Sequence, residues 1–128
     1  MSPDLKYLLL SAILCFVQML IAATGANQQV GLPALAGNRE DLPRASGWAG
    51  RAARAHHNML ENLVLFAVLV VAASVMERMN AMTALGAQLF FWGRLVYAPI
   101  YIIGVPWLRT TAFLTSMAGL VLIFAQLV

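Results

Sequence analysis

From Tyr7 to about Ala26 the chain is almost continuously apolar, and no other feature restricts its possible folds as strongly. Roughly 20 such residues, rising 1.5 Å each in a helix, cross the ~30 Å hydrocarbon layer of a bilayer. The rest of the sequence agrees: 62% of the 128 residues are hydrophobic and 10% are charged, against about half and a quarter in soluble domains. A chain this short has too little interior to hide that much apolar surface from water, so the bilayer is the better solvent. The same composition excludes intrinsic disorder. The single cysteine, Cys15, cannot form an internal disulfide. A formal charge of +3 comes from scattered Lys and Arg without a basic run, so nucleic acid is not an expected partner. Ala22, Ala23 and Gly25 imitate a signal-peptide cleavage site. The segment is nevertheless too long, and its start at Asp4 and Lys6 too weakly basic, so it reads as a retained span.

Three further spans follow. Between Asn27 and Gly50, six Gly and Pro residues (Gly31, Pro33, Gly37, Pro43, Gly47, Gly50) interrupt any helical periodicity and predict one long loop over 27–50. Loops of that length inside compact domains tend to be functional. A second helix is expected from near Arg51, spanning the membrane over about 54–76. Glu77-Arg78-Met79-Asn80 forms a short turn, and a third helix runs over 81–103 until Gly104 and Pro106 stop it. A fourth, over 110–127, carries only small hydroxyl residues and Gln126 as polar groups and reads as a packing helix. The expectation is an all-α, integral membrane four-helix bundle forming a single domain over 1–128.

Four crossings put the long loop and the 104–109 turn on one side, with both termini and the 77–80 turn on the other. Arg39, Arg44, Arg51, Arg54 and Arg109 lie on the loop side, against Lys6 and Arg78 opposite. The positive-inside rule therefore predicts a cytoplasmic loop and outward termini. Trp48 and Trp107 then fall near the cytoplasmic interface, where amphipathic rings collect.

Two polar stripes interrupt the apolar helices. Arg51, Arg54, Asn58, Glu61 and Leu65 recur at steps of three and four, and so do Arg94, Tyr97 and Tyr101; each set lies along one helix face. An ionisable group at membrane depth costs about 2.5–3.5 kcal/mol on insertion scales, and such groups normally face partners or a watery cavity. Three readings of the first stripe compete. Its charges could tie neighbouring helices together, with His56, His57 and Asn58 at the interface. His57 and Glu61, four residues apart, could both reach one metal ion, although no third ligand stands at a defined spacing. Or the stripe could bind a zwitterion, arginines holding carboxylates while the glutamate receives an ammonium. Periodicity permits the third without selecting it. Tyr101, near a helix end, also suits an aromatic belt. Arg94, about 14 Å of rise before the end of its helix, is too deep to snorkel and needs a buried partner, for which Glu61 is the first candidate.

The run Arg54-Ala55-His56-His57-Asn58-Met59-Leu60-Glu61-Asn62, followed by Leu63-Val64-Leu65-Phe66, resembles the signature of the MAPEG family, membrane-associated proteins in eicosanoid and glutathione metabolism. The resemblance extends over nearly the whole chain. It takes in Ala23-Thr24-Gly25 at the end of helix one, Asn38-Arg39-Glu40-Asp41-Leu42 in the loop, Arg94-Leu95-Val96-Tyr97 with Tyr101, and Arg109-Thr110 before helix four. It implies a homotrimer of four-helix subunits, of bacterial type and in a bacterial inner membrane, with glutathione as co-substrate between subunits near the cytoplasmic side. Arg54, His57, Asn58 and Glu61 would then hold the tripeptide's charged ends, Arg94, Tyr97 and Tyr101 would line the cavity, and Arg109 and Thr110 would stand beside the sulfur. A thiol with a pKa of about 8.5 is mostly protonated at neutral pH, and an adjacent cation with a hydroxyl donor favours the thiolate nucleophile. Some positions depart from catalytic relatives. Asn27-Gln28-Gln29-Val30 and His57 stand where such relatives often carry basic residues, Tyr97 replaces a histidine seen in some prostaglandin-synthesising relatives, and Thr110 replaces serine.

The functional expectation is thus a membrane-bound glutathione-dependent transferase or peroxidase-like protein acting on lipophilic electrophiles dissolved in lipid. Two alternatives stand beside it: a non-catalytic membrane scaffold or lipid-binding member of the fold, and a protein that binds another thiol or an anionic lipid metabolite in the same cavity.

Overall fold

A computed structural model describes residues 1–39 and 42–128. The described residues form helices α1 (Pro3–Val30), α2 (Leu32–Ala36), α3 (Gly47–Val75), α4 (Ala81–Ile103) and α5 (Pro106–Leu127), and no strand. Local chemistry sets most of the ends. Ser2 caps α1 by accepting from the Leu5 amide, and Pro3 occupies the first turn, where a missing N–H costs nothing. Gly31, at φ 83°, turns the chain out of α1. Asn80 opens α4 through a reciprocal capping box: its side chain accepts from the Met82 and Thr83 amides, while its own amide donates to Thr83 Oγ1 at 2.8 Å. Gly104, in the left-handed region, closes α4, and Pro106 starts α5.

The predicted loop over 27–50 is shorter than its glycines and prolines suggested. Helix α1 continues through Asn27, Gln28 and Gln29, α2 occupies five residues of the loop, and α3 begins at Gly47, not Arg51. Packing explains the early start of α3. Ala49 is 1% exposed, and a Cβ on Gly25 would come within 2.7 Å of Ala49 Cβ, so the first turn of α3 lies directly on α1. Gln29 joins the two helix ends by donating to the Ser46 carbonyl at 2.7 Å and accepting from the Ser46 amide at 3.0 Å. Of the loop motif Asn38–Leu42, residues 40 and 41 lie outside the described residues.

Helices α1, α3 and α5 are long and apolar enough to cross a membrane. Helix α4 has the length, 23 residues, but Gln88 and Arg94 interrupt its apolar sequence. It touches α1, α3 and α5, as α3 touches α1, α4 and α5, whereas α1 and α5 do not meet. Its contact with α5 is closest because glycines face each other: a Cβ on Gly86 would lie 2.6 Å from the Gly119 carbonyl, and one on Gly93 would lie 2.9 Å from that of Ala112. In lipid the hydrophobic effect does not distinguish a neighbouring helix from acyl chains, so small residues that let backbones approach supply much of the association energy. The core between α1, α3, α4 and α5 holds Cys15, Met59, Phe66, Val70, Phe90, Leu120 and Ile123, with Phe66 and Phe90 stacked at 4.1 Å between ring centroids. Leu9, Ile13, Phe16, Val64, Val68, Val75, Val121 and Phe124 point outward, the pattern expected of a surface bathed in lipid.

Candidate functional site

Helix α3 turns the Arg54 stripe toward α4, and the two helices enclose a groove of about 400 Å³. Ala53, Arg54, His57, Asn58 and Glu61 line it from α3, and Tyr97 and Tyr101 from α4. Six of the nine residues singled out for a site therefore share one recess. Its charged groups face outward: the side chains of His57 and Glu61 are 75% and 64% exposed and bond to each other at 2.7 Å. Asn58 is held from behind by Asn62, whose amide donates to the Asn58 carbonyl at 2.8 Å and to Asn58 Oδ1 at 3.1 Å. Asn62 is not among the residues that the polar stripes single out. Its spacing of four from Asn58 is the signal that could have done so.

At one end of the groove Tyr101 lies between two guanidinium groups. Arg54 Nε donates to its hydroxyl at 3.2 Å, and Arg109 Cζ stands 4.8 Å over its ring. Arg109 belongs to the first turn of α5, so a third helix contacts Tyr101 beside the groove without lining it. Arg51, one turn before Arg54, does not reach the recess. Its Nε donates to the Ile102 carbonyl at 2.7 Å, satisfying one of the open carbonyls at the end of α4 and fixing α3 against it. Thr110 does not line the groove, and its hydroxyl donates to the Pro106 carbonyl within its own helix at 3.1 Å.

Arg94 corrects an expectation. Glu61 is not its partner, being bonded to His57 on the outer face of α3. Arg94 is 1% exposed and points into the molecule, on the α4 face that also buries Ala87, Phe90 and Phe91. Its Cζ lies 4.2 Å over the ring of Tyr97, and its three guanidinium nitrogens have no hydrogen-bond partner among the described residues. Tyr97 thus separates the groove from Arg94: it lines the recess and carries the buried cation against its ring. The stripe Arg94, Tyr97, Tyr101 divides because a residue three positions on is rotated by about 60° from the first, enough at this interface to send one side chain inward and the next to the groove.

These features define an all-helical integral membrane protein with a cationic, phenol-lined recess between two of its helices. The sequence matches the MAPEG family across residues 5–128, and the chain belongs to that family. A comparison with curated proteins finds no match.

Proposed function

We propose that this protein is a membrane-bound glutathione-dependent transferase or peroxidase-like enzyme for lipophilic electrophiles, working as a homotrimer of four-helix subunits. The observation that carries the reading is the groove between α3 and α4, in which Arg54, Asn58, Glu61, Tyr97 and Tyr101 converge. The donor set fits a zwitterionic peptide. Arg54 would take a carboxylate by paired hydrogen bonds, Glu61 would receive the ammonium, and Asn58 would offer an amide to the peptide backbone. His57, within hydrogen-bond reach of Glu61, would release that carboxylate as the ammonium arrives. Arg109 over the Tyr101 ring and Arg54 at its hydroxyl create positive potential at one end of the recess, which favours an anion such as a thiolate. Thr110 would add a hydroxyl donor there after leaving the Pro106 carbonyl. Arg94 would act from behind Tyr97.

The exposure of the groove supports the assembly. A carboxylate facing hydrocarbon is strongly disfavoured, so Glu61 needs a covering surface or water. A second subunit laid over α3 and α4 supplies the cover and turns the groove into an inter-subunit site. In this reading α4 is the fourth span, the 27–50 segment and Arg109 face the cytoplasm, and the termini face outward. The membrane is a bacterial inner membrane.

A scaffold reading draws on the same ion pair, since His57 and Glu61 satisfy each other without a ligand. Titrating glutathione into the detergent-solubilised protein, while recording thiolate absorbance and conjugation of a hydrophobic halo-aromatic, separates the two. Thiolate formation that is lost in Arg109→Ala supports the enzyme. No thiolate and no conjugate at millimolar glutathione from a trimeric sample overturns it, and a Glu61→Ala variant that falls apart into monomers while Arg109→Ala is silent identifies the scaffold.

A further inference from the structure

Helix α1 buries a line of polar residues that the groove does not use. Asp4, Ser11, Cys15 and Gln18 recur at steps of seven, four and three, and all are at most 6% exposed. Asp4 Oδ2, Ser11 Oγ and both amide atoms of Gln18 are buried without a hydrogen-bond partner among the described residues, as are the three guanidinium nitrogens of Arg94. Helices α1 and α4 pack together along a seam. Ser2 bonds Met79 and Tyr7 packs on Phe91 at 5.6 Å, so α1 and α4 run the same way. Counting about 1.5 Å per residue from Tyr7 and Phe91 brings Ser11 and Arg94 to nearly the same depth.

A guanidinium has five N–H donors, and Ser11 near its depth and Gln18 two turns further along the same face of α1 present acceptors, yet no direct bond joins them. Buried polar groups that face one another without touching are bridged by ordered water where the lining is polar, each water making about three hydrogen bonds. We propose that the α1–α4 seam is an internal water-binding site, in which bridging water solvates Arg94 from Ser11 and Gln18. Water there gives the guanidinium the hydrogen bonds that the protein does not, and holds a positive charge against the inner face of Tyr97, behind the wall of the groove. The site is independent of what the groove binds.

Cys15 is the only cysteine in the chain and is buried on the face of α1 that carries Ser11 and Gln18, where the core begins, so its S–H stretch is an isolated infrared reporter. On transferring the full-length protein in detergent or lipid from H2O to D2O, the S–H band is expected to convert to S–D within minutes. Removing one bridging partner lowers water occupancy by about fivefold, the weight of one neutral hydrogen bond of about 1 kcal/mol. Exchange should slow by that factor in Gln18→Leu and in the nearly isosteric Ser11→Ala, with helix content and oligomer size checked for each. An S–H band that persists for hours in the unaltered protein overturns the proposal, and so does exchange at an unchanged rate in both folded variants. Neither result depends on glutathione.

Discussion

Replacing Gly86 by alanine should loosen the contact between α4 and α5. The added Cβ would lie 2.6 Å from the Gly119 carbonyl oxygen and 2.7 Å from Ile123 Cγ1, where ordinary contact begins at 3.4 Å. Ile123 can turn away, but the carbonyl is backbone, so the helices must separate by about 0.8 Å or the backbone must bend. Overpacking of this kind costs about 1–3 kcal/mol. For a chain of this size that is roughly 4–12 °C in Tm. Thermal unfolding in detergent, followed by circular dichroism, measures it. Gly37→Ala is the control, because a Cβ there meets nothing closer than 3.6 Å and the backbone φ of −81° suits any residue. If Gly86→Ala melts with the unaltered protein and with Gly37→Ala, the close approach of α4 and α5 through facing glycines is wrong.

Other expectations follow from single contacts. Glu61→Gln should weaken glutathione binding by about tenfold or more, measured by calorimetry in detergent, because a charge-assisted bond to the ligand ammonium becomes a neutral one. Tyr101→Phe removes the hydroxyl that accepts from Arg54 and keeps the ring under Arg109. It should raise the glutathione dissociation constant while changing thermal stability by less than about 1 kcal/mol. Arg51→Gln loses the charged bond to the Ile102 carbonyl, and amide exchange in the last turn of α4 should speed up by about tenfold. Gln29→Ala breaks both bonds to Ser46, and limited proteolysis should then cut the segment between α1 and α3 faster than in the unaltered chain.

Much of the fold was legible in the sequence, because helices in lipid satisfy their own backbone groups and a long apolar run has few alternatives. The capping pair Asn80 and Thr83, the stop at Gly104 and the start at Pro106 mark boundaries through local chemistry alone. The loop was less legible. Glycines at 31, 37, 47 and 50 suggested a break, yet Gly47 and Gly50 lie in α3 because Ala49 packs against Gly25. The steps of three and four put Arg54, Asn58 and Glu61 along one face of α3, and all three line the groove.

The rotation of each helix about its axis was not legible. Periodicity states which residues share a face, but in a bilayer the lipid and the neighbouring helix are equally apolar, so the hydrophobic pattern does not choose which face turns inward. Only the tertiary structure decided that Arg94 points inward and Glu61 outward to His57, that Arg51 secures a helix end and Arg54 reaches Tyr101, and that Arg109 comes from a third helix to lie over Tyr101. The sequence by itself determined that the polar groups lie within the helices. Side-chain packing of four helices, through glycine contacts and the Phe66–Phe90 stack, determined which of them meet.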